Sequence, residues 1–310
     1  MKRYFFAICS ILFFISMLAF PQSAFQGAKT GLLLWFNTVL PTLLPFIIIS
    51  NLLVHSSAID VAARIISPVL CRFFKVTPYG AFAILTGFLC GCPMGSKVTA
   101  DLLKKGALSK QESCYLLSFC NNTSPMFIIS YVIWQNLKMP DQTAPLLMIV
   151  MLTPVLLSFV FRRIYHISGE TSLWQKSGGS ITSDAERMTL DGCIMNGFET
   201  ITRIGGYIIL FSILISYVKM IPAGPPFLTA VLLPSLELTF GAAMICSQAL
   251  PKGTEQILTL ALTSFGGWCA AAQTRAMLQD TDIPFLPYII EKLAAALVTS
   301  LFAYCYLMIR

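Results

Sequence analysis

The side chains best placed to do chemistry lie in two apolar regions. Glu237 is the single charged residue in the window from Ile221 to Leu250. A lone carboxylate at membrane depth is a site for a proton or a sodium ion, whereas on an interfacial segment it would only face headgroups. Asn121 and Asn122 offer donors and acceptors together, which suits a sugar hydroxyl or a base edge, or equally the capping of a helix break. Lys97 is expected to meet a substrate anion, to pair with Glu237, or to snorkel to the interface. Gln273 and Thr274 complete the set, with Arg275 beside them as a topology anchor. Cys90 and Cys92 flank Gly91 closely enough to bind a soft metal, but no second pair sits at zinc-site spacing. His55 and His166 stand alone and the acids do not pair, so no catalytic centre, metal centre or cofactor is expected. No GxxxxGK[ST] loop is present to use a nucleotide.

The elements that must position these residues belong to a membrane protein. Of the 310 residues 56% are hydrophobic and 11% charged, against about 25% charged in a soluble domain. The net charge of +7 is scattered between apolar segments as topology signals, not gathered into a nucleic-acid surface. Most of the ten cysteines lie inside apolar windows, where free thiols behave as small hydrophobes.

The chemistry-bearing stretch from Gly87 to Pro125 is broken by Gly87, Gly91, Pro93 and Gly95, then by Asn121, Asn122, Ser124 and Pro125. Each unpaired polar group in hydrocarbon costs several kcal/mol, roughly, so such breaks are tolerated where they are buried in protein or line a cavity. The stretch reads as a re-entrant hairpin followed by an unwound span. A hairpin also keeps Arg64 to Lys110 on the cytoplasmic side, where Lys and Arg accumulate.

In order, residues 1–28 give a first span and connection, with the shape of an uncleaved signal peptide. A second span covers 29–54, kinked by Pro41 and Pro45, with Asn37 and Asn51 as polar positions, and 58–76 is a basic interfacial helix. The hairpin and the broken span follow, and 145–161 returns to Arg162 and Arg163. A linker rich in Ser, Thr and Gly, 166–194, separates this first repeat (29–165) from a second (195–310). In the second repeat Asn196 to Val218 is a span broken at Gly205 and Gly206, the segment 227–250 matches 58–76, and 260–278 matches the hairpin, so that Gly267 meets Gly91. Arg275, Asp280 and Asp282 place that second hairpin on the external side, inverted relative to the first. The expected fold is an all-α polytopic membrane protein, an inverted repeat with two re-entrant helical hairpins, about six full spans and interfacial helices.

With these residues in view the chain resembles the YlbJ-type sporulation integral membrane proteins of the nucleoside-recognition, or Gate, group. The resemblance rests on GLLLWFNTVLPTLLP at 31–45, GFLCGCPMGSK at 87–97, Asn121, Asn122, Ser124 and Pro125, Glu237, SFGG at 264–267, Gln273 and DTDI at 280–283. Departures fall at the hairpin tips: Cys92 stands where Tyr is common, and Cys269, Ala270, Ala271 where Ser and His are usual. The resemblance implies a bacterial cell or forespore membrane protein of spore cortex formation. As a secondary carrier it would hold a small polar solute at Gly91, Pro93, Lys97, Asn121, Asn122, Ser124, Gly267 and Gln273, with Glu237 as coupling-ion site for proton or sodium. Membrane lipid and further copies of the chain are the other expected partners. A non-transporting scaffold for cortex assembly is the alternative.

Overall fold

In a computed structural model the described residues are 2–54, 67–167, 189–220 and 231–310. Among them regular structure is helical throughout. Four helices are long and apolar enough to cross a membrane, or up to six if two sharply bent pairs each count as one. The expected interfacial stretch 58–66, His55, most of the linker 166–194 and residues 221–230 lie outside the described residues.

Helix α1 (Lys2–Ala19) meets α2 (Pro21–Leu34) at a bend of 108°. The second span therefore starts at Pro21 and continues through a π turn, Trp35–Val39, into α3 (Leu40–Val54). Pro41 is the cause we assign to that turn: it has no N–H for the Asn37 carbonyl, and its ring crowds that carbonyl, so the preceding turn widens. The N–H of Leu40 accordingly reaches Trp35 O. Ser67–Phe74, here α4, is set at 94° to α5 (Pro78–Cys90), consistent with an interfacial helix feeding a membrane hairpin.

Helix α10 (Leu190–Val218) runs antiparallel along α2 and α3. In a membrane helices associate through close packing, so small residues mark the contact. A Cβ on Gly27 would meet Ser216 Oγ at 2.6 Å, and one on Gly31 would meet Ser212 Oγ at 2.8 Å. Gly205 and Gly206 do not break α10 as expected. Gly205 instead accommodates the Trp35 indole, whose N–H donates to Ile201 O at 2.9 Å. Lower down, Asn51 Nδ2 donates to Asn196 Oδ1 at 3.0 Å and Cys193 O at 3.3 Å.

The first hairpin is α5, a turn at Gly91–Pro93 and α6 (Met94–Lys104). It stands beside α7 (Lys110–Cys120), whose Glu112 accepts from Thr77 N at 2.7 Å and Thr77 Oγ1 at 2.9 Å at the foot of α5. The span resumes after 121–124 as α8 (Pro125–Phe127) and a π helix, Ile128–Leu137. It returns through α9 (Thr143–Ile164).

The second half corrects the expected register. Pro234–Leu236 forms a single 3-10 turn, and α11 (Leu238–Ser247) leaves it and packs against α12 (Lys252–Phe265). Gly241 approaches Leu262 and Cys246 Sγ lies 3.7 Å from Thr259 Oγ1, so these helices are antiparallel. Beyond Gly266, α13 (Gly267–Met277) continues in the same direction. Helix α12 runs antiparallel to α14 (Phe285–Ile309), with Gly253 beside Leu307, and α13 carries the chain on toward the start of α14, where Thr274 Oγ1 is 3.3 Å from Tyr288 OH. Residues 252–277 are thus the counterpart of the broken span 110–137. The second hairpin tip is Pro234–Glu237, in the segment expected to be interfacial.

Topology changes with it. Lys104 Nζ is 3.8 Å from Asp280 Oδ2, and Tyr306 OH donates to Gln142 Oε1 at 3.3 Å. The loop after α13 therefore shares the basic face with Lys104, Lys105, Arg162 and Arg163, and the end of α14 lies on the opposite face. By the positive-inside rule the basic face is cytoplasmic. Asp280 and Asp282 are not external.

Candidate functional site

The hairpin tips and both span breaks meet at one depth. Gly91 has φ +84, and a Cβ there would sit 2.7 Å from Ser124 N, so glycine is what lets the tip touch the break. Cys92 N donates to Asn122 O at 2.6 Å, and Ser96 N donates to Asn121 Oδ1 at 3.2 Å. Pro93 is buried immediately before α6, and Ser124 caps α8 by accepting from Phe127 N at 3.4 Å.

From the other half, Thr274 and Tyr288 reach the same asparagine. Asn121 Nδ2 donates to Thr274 Oγ1 and to Tyr288 OH, each at 2.9 Å. Thr123 Oγ1 donates to Thr263 O at 2.8 Å. Of Gln273 and Thr274, both expected at this site, Thr274 reaches Asn121 whereas Gln273 donates to Cys269 Sγ at 3.3 Å. Gly267 has φ +86 and lies against Ser235 O and Leu238 N, each 3.2 Å from an added Cβ, which joins the second break to the second tip.

Lys97 does not pair with Glu237. Its ammonium lies 2.9 Å from Asp101 one turn along α6. Glu237 caps α11, accepting from Thr239 N at 2.9 Å and Phe240 N at 2.7 Å. It also borders a cavity of about 440 Å³ whose wall includes Ser23, Gln26, Thr30, Ser212, Ser216 and Tyr131. Lys219 stands at this cavity with its ammonium 4.2 Å from the Phe240 ring centre.

Two residues of the site were not anticipated. Lys292 is buried and donates to Asn121 O at 3.1 Å and Asn122 Oδ1 at 3.3 Å. Tyr288, one turn earlier, closes the ring around Asn121. The adjacent Glu291 and Lys292 in a 25-residue apolar helix are the signal that could have pointed here. Glu291 itself accepts from the Tyr165 hydroxyl at the cytoplasmic end of α9. Burial first, and then that carboxylate, push the Tyr165 hydroxyl well above its ordinary range, so it stays protonated and donates.

No group of three or more His, Cys, Asp or Glu is placed to hold a metal among the described residues. Cys92 Sγ turns instead toward Thr274 Oγ1 at 3.7 Å, and His166 is exposed past the end of α9.

Fold and site together define a polytopic helical membrane protein with two tips and two broken spans meeting between inverted halves. The Gate family, described as nucleoside recognition, matches residues 36–160. The chain is also similar to "Sporulation integral membrane protein YlbJ" of Bacillus subtilis (strain 168), with 27% identity over 333 aligned residues, 95% of this chain and 81% of that protein. No solved structure matches the chain. The chain is thus similar over nearly its whole length to a sporulation membrane protein, and residues 36–160 match the Gate model.

Proposed function

We propose that this chain acts in the membrane during sporulation as a secondary carrier of a small polar solute, in the process that builds the spore cortex. The observation that carries the reading is the convergence of two hairpin tips and two span breaks, with the second tip, at Glu237, bordering a cavity of about 440 Å³ whose lining includes Ser23, Gln26, Thr30 and Tyr131. Discontinuous spans expose backbone donors and acceptors at mid-depth, which is where inverted-repeat carriers bind their solutes. The solute would enter past Ser23, Gln26 and Lys219 to reach Glu237, and Gly91, Pro93, Asn121, Asn122, Ser124 and Gly267, which do not line that cavity, shape the tips and breaks behind the Glu237 tip. Lys97 and Gln273 support their own arms. Glu237 is the coupling group, taking a proton or sodium ion, and the Gate match favours a nucleoside-like solute. Further copies of the chain and membrane lipid are its other partners in this reading.

A second reading, a cortex-assembly scaffold without transport, is favoured by one observation: Asn121, Thr274 and Tyr288 spend their polar groups on one another. Uptake of tritiated uridine and inosine into proteoliposomes, under an imposed proton or sodium gradient, separates the two. A carrier takes up at least one of these probes and loses gradient-driven uptake in a folded Glu237→Gln variant. No uptake under either gradient, with Glu237→Gln still supporting sporulation, would establish the scaffold.

A further inference from the structure

Among the described residues, the one buried ammonium held only by uncharged oxygens, that of Lys292, sits at the first span break, and the sequence explains the oxygens. In a continuous helix Asn121 O would accept from the N–H four residues on, but that residue is Pro125, which has none. The carbonyl is left at the negative end of α7, where the last turn of a helix favours cations. Asn122 adds a second oxygen: its Nδ2 donates to Phe119 O, which turns Oδ1 the other way, toward Lys292. Lys292 is 4% exposed, and among the described residues no carboxylate lies within 4.0 Å of its ammonium.

A backbone carbonyl and an amide oxygen at a half-helix C-terminus are the ligand set with which broken membrane helices hold a small monovalent cation. We propose that the break is such a cation site and that Lys292, delivered from α14 in the opposite half, is its permanently tethered occupant. The protein then needs no alkali ion at this break, and Glu237 alone remains for coupling. The inference concerns the protein without solute and holds whether or not the chain transports.

Removing the tether should turn the break into a site for a free cation. Purified full-length protein in detergent would be melted in choline, sodium, lithium, ammonium and methylammonium chloride at constant ionic strength, as wild type, Lys292→Ala and Lys292→Met. Wild type should melt alike in all five salts. Lys292→Ala should lose stability or folded yield in choline and regain it, saturably, in sodium or in methylammonium, which restores the missing ammonium. Lys292→Met, which fills the space without charge, should be weakened and unresponsive. The proposal is overturned if wild type shows a saturable gain with a small cation, or if Lys292→Met matches wild type. It is equally overturned if Lys292→Ala shows no preference for small cations over choline in melting temperature or folded yield, whatever its basal stability.

Discussion

Replacing Gly87 and Gly206 by Ala should move stability in opposite directions. Both lie inside long helices, so on propensity alone each change should stabilise by about 1 kcal/mol. Gly206 has nothing within 4 Å of an added Cβ, so it should keep that gain. Gly87 faces the end of α7, where a Cβ would overlap the Cys120 carbonyl oxygen and come 3.2 Å from Gly95 Cα. Gly95 meets the same oxygen from the other arm, at 2.7 Å, so backbone closes the space and no side chain can swing away. Overpacking of this kind costs about 1–3 kcal/mol, occasionally more. Because the overlap is with backbone the upper end of that range applies, about 3 kcal/mol, and with the propensity gain of about 1 kcal/mol deducted Gly87→Ala should lose about 2 kcal/mol. At about 2–4 °C per kcal/mol, the scale for slightly smaller proteins, the two variants should melt roughly 6–12 °C apart in detergent, with wild type between them. A Gly87→Ala protein that melts at or above wild type would refute the clasp of both hairpin arms around Cys120.

The topology is tested with single cysteines in a cysteine-free background: Gly106→Cys and Asp282→Cys should label from the same side of intact cells, and Lys138→Cys from the other. Trp35→Phe removes the donor to Ile201 O and should cost about 1 kcal/mol, read as a fall in melting temperature without loss of fold. Glu112→Ala leaves the Thr77 N–H and hydroxyl at the foot of α5 without their acceptor and should cost about 1–3 kcal/mol; Glu112→Gln, which keeps a carbonyl oxygen there, should recover most of it.

The first hairpin and the first broken span were legible because their signals are local. Glycines at 87, 91 and 95, prolines at 93 and 125 and the paired asparagines can each be interpreted within a few residues, and the basic residues forbid the alternative crossing. The second half was legible in its content but not in its register. Gly266 and Gly267 read as a hairpin turn because glycine marks a break without saying whether the chain turns back or goes on. The distinction is set by what each arm packs against: α5 and α6 pack on each other, whereas α12 lies along α14 and α13 leaves it to pack on α10, the Pro234–Leu236 turn and α6. The same ambiguity made Gly205 and Gly206 look like a break, although Gly205 only makes room for Trp35.

The corrected register removes a conflict that the charges had created. Placing 260–278 as an external hairpin required Arg275 to sit outside. As a through-going broken span, α13 brings Arg275 to the basic face, with its guanidinium 5.4 Å from the Phe285 ring centre. It also starts α14 at that face, so Lys292 arrives at the depth of Asn121. Each half then supplies what the other's break lacks. The Thr123 hydroxyl from the first half donates to Thr263 O at the second break, and Lys292 from the second half answers the Asn121 carbonyl that Pro125 leaves open in the first. Each break meets its own hairpin tip but is completed only by the other half, so any movement that separates the halves has to break the same hydrogen bonds that close the site.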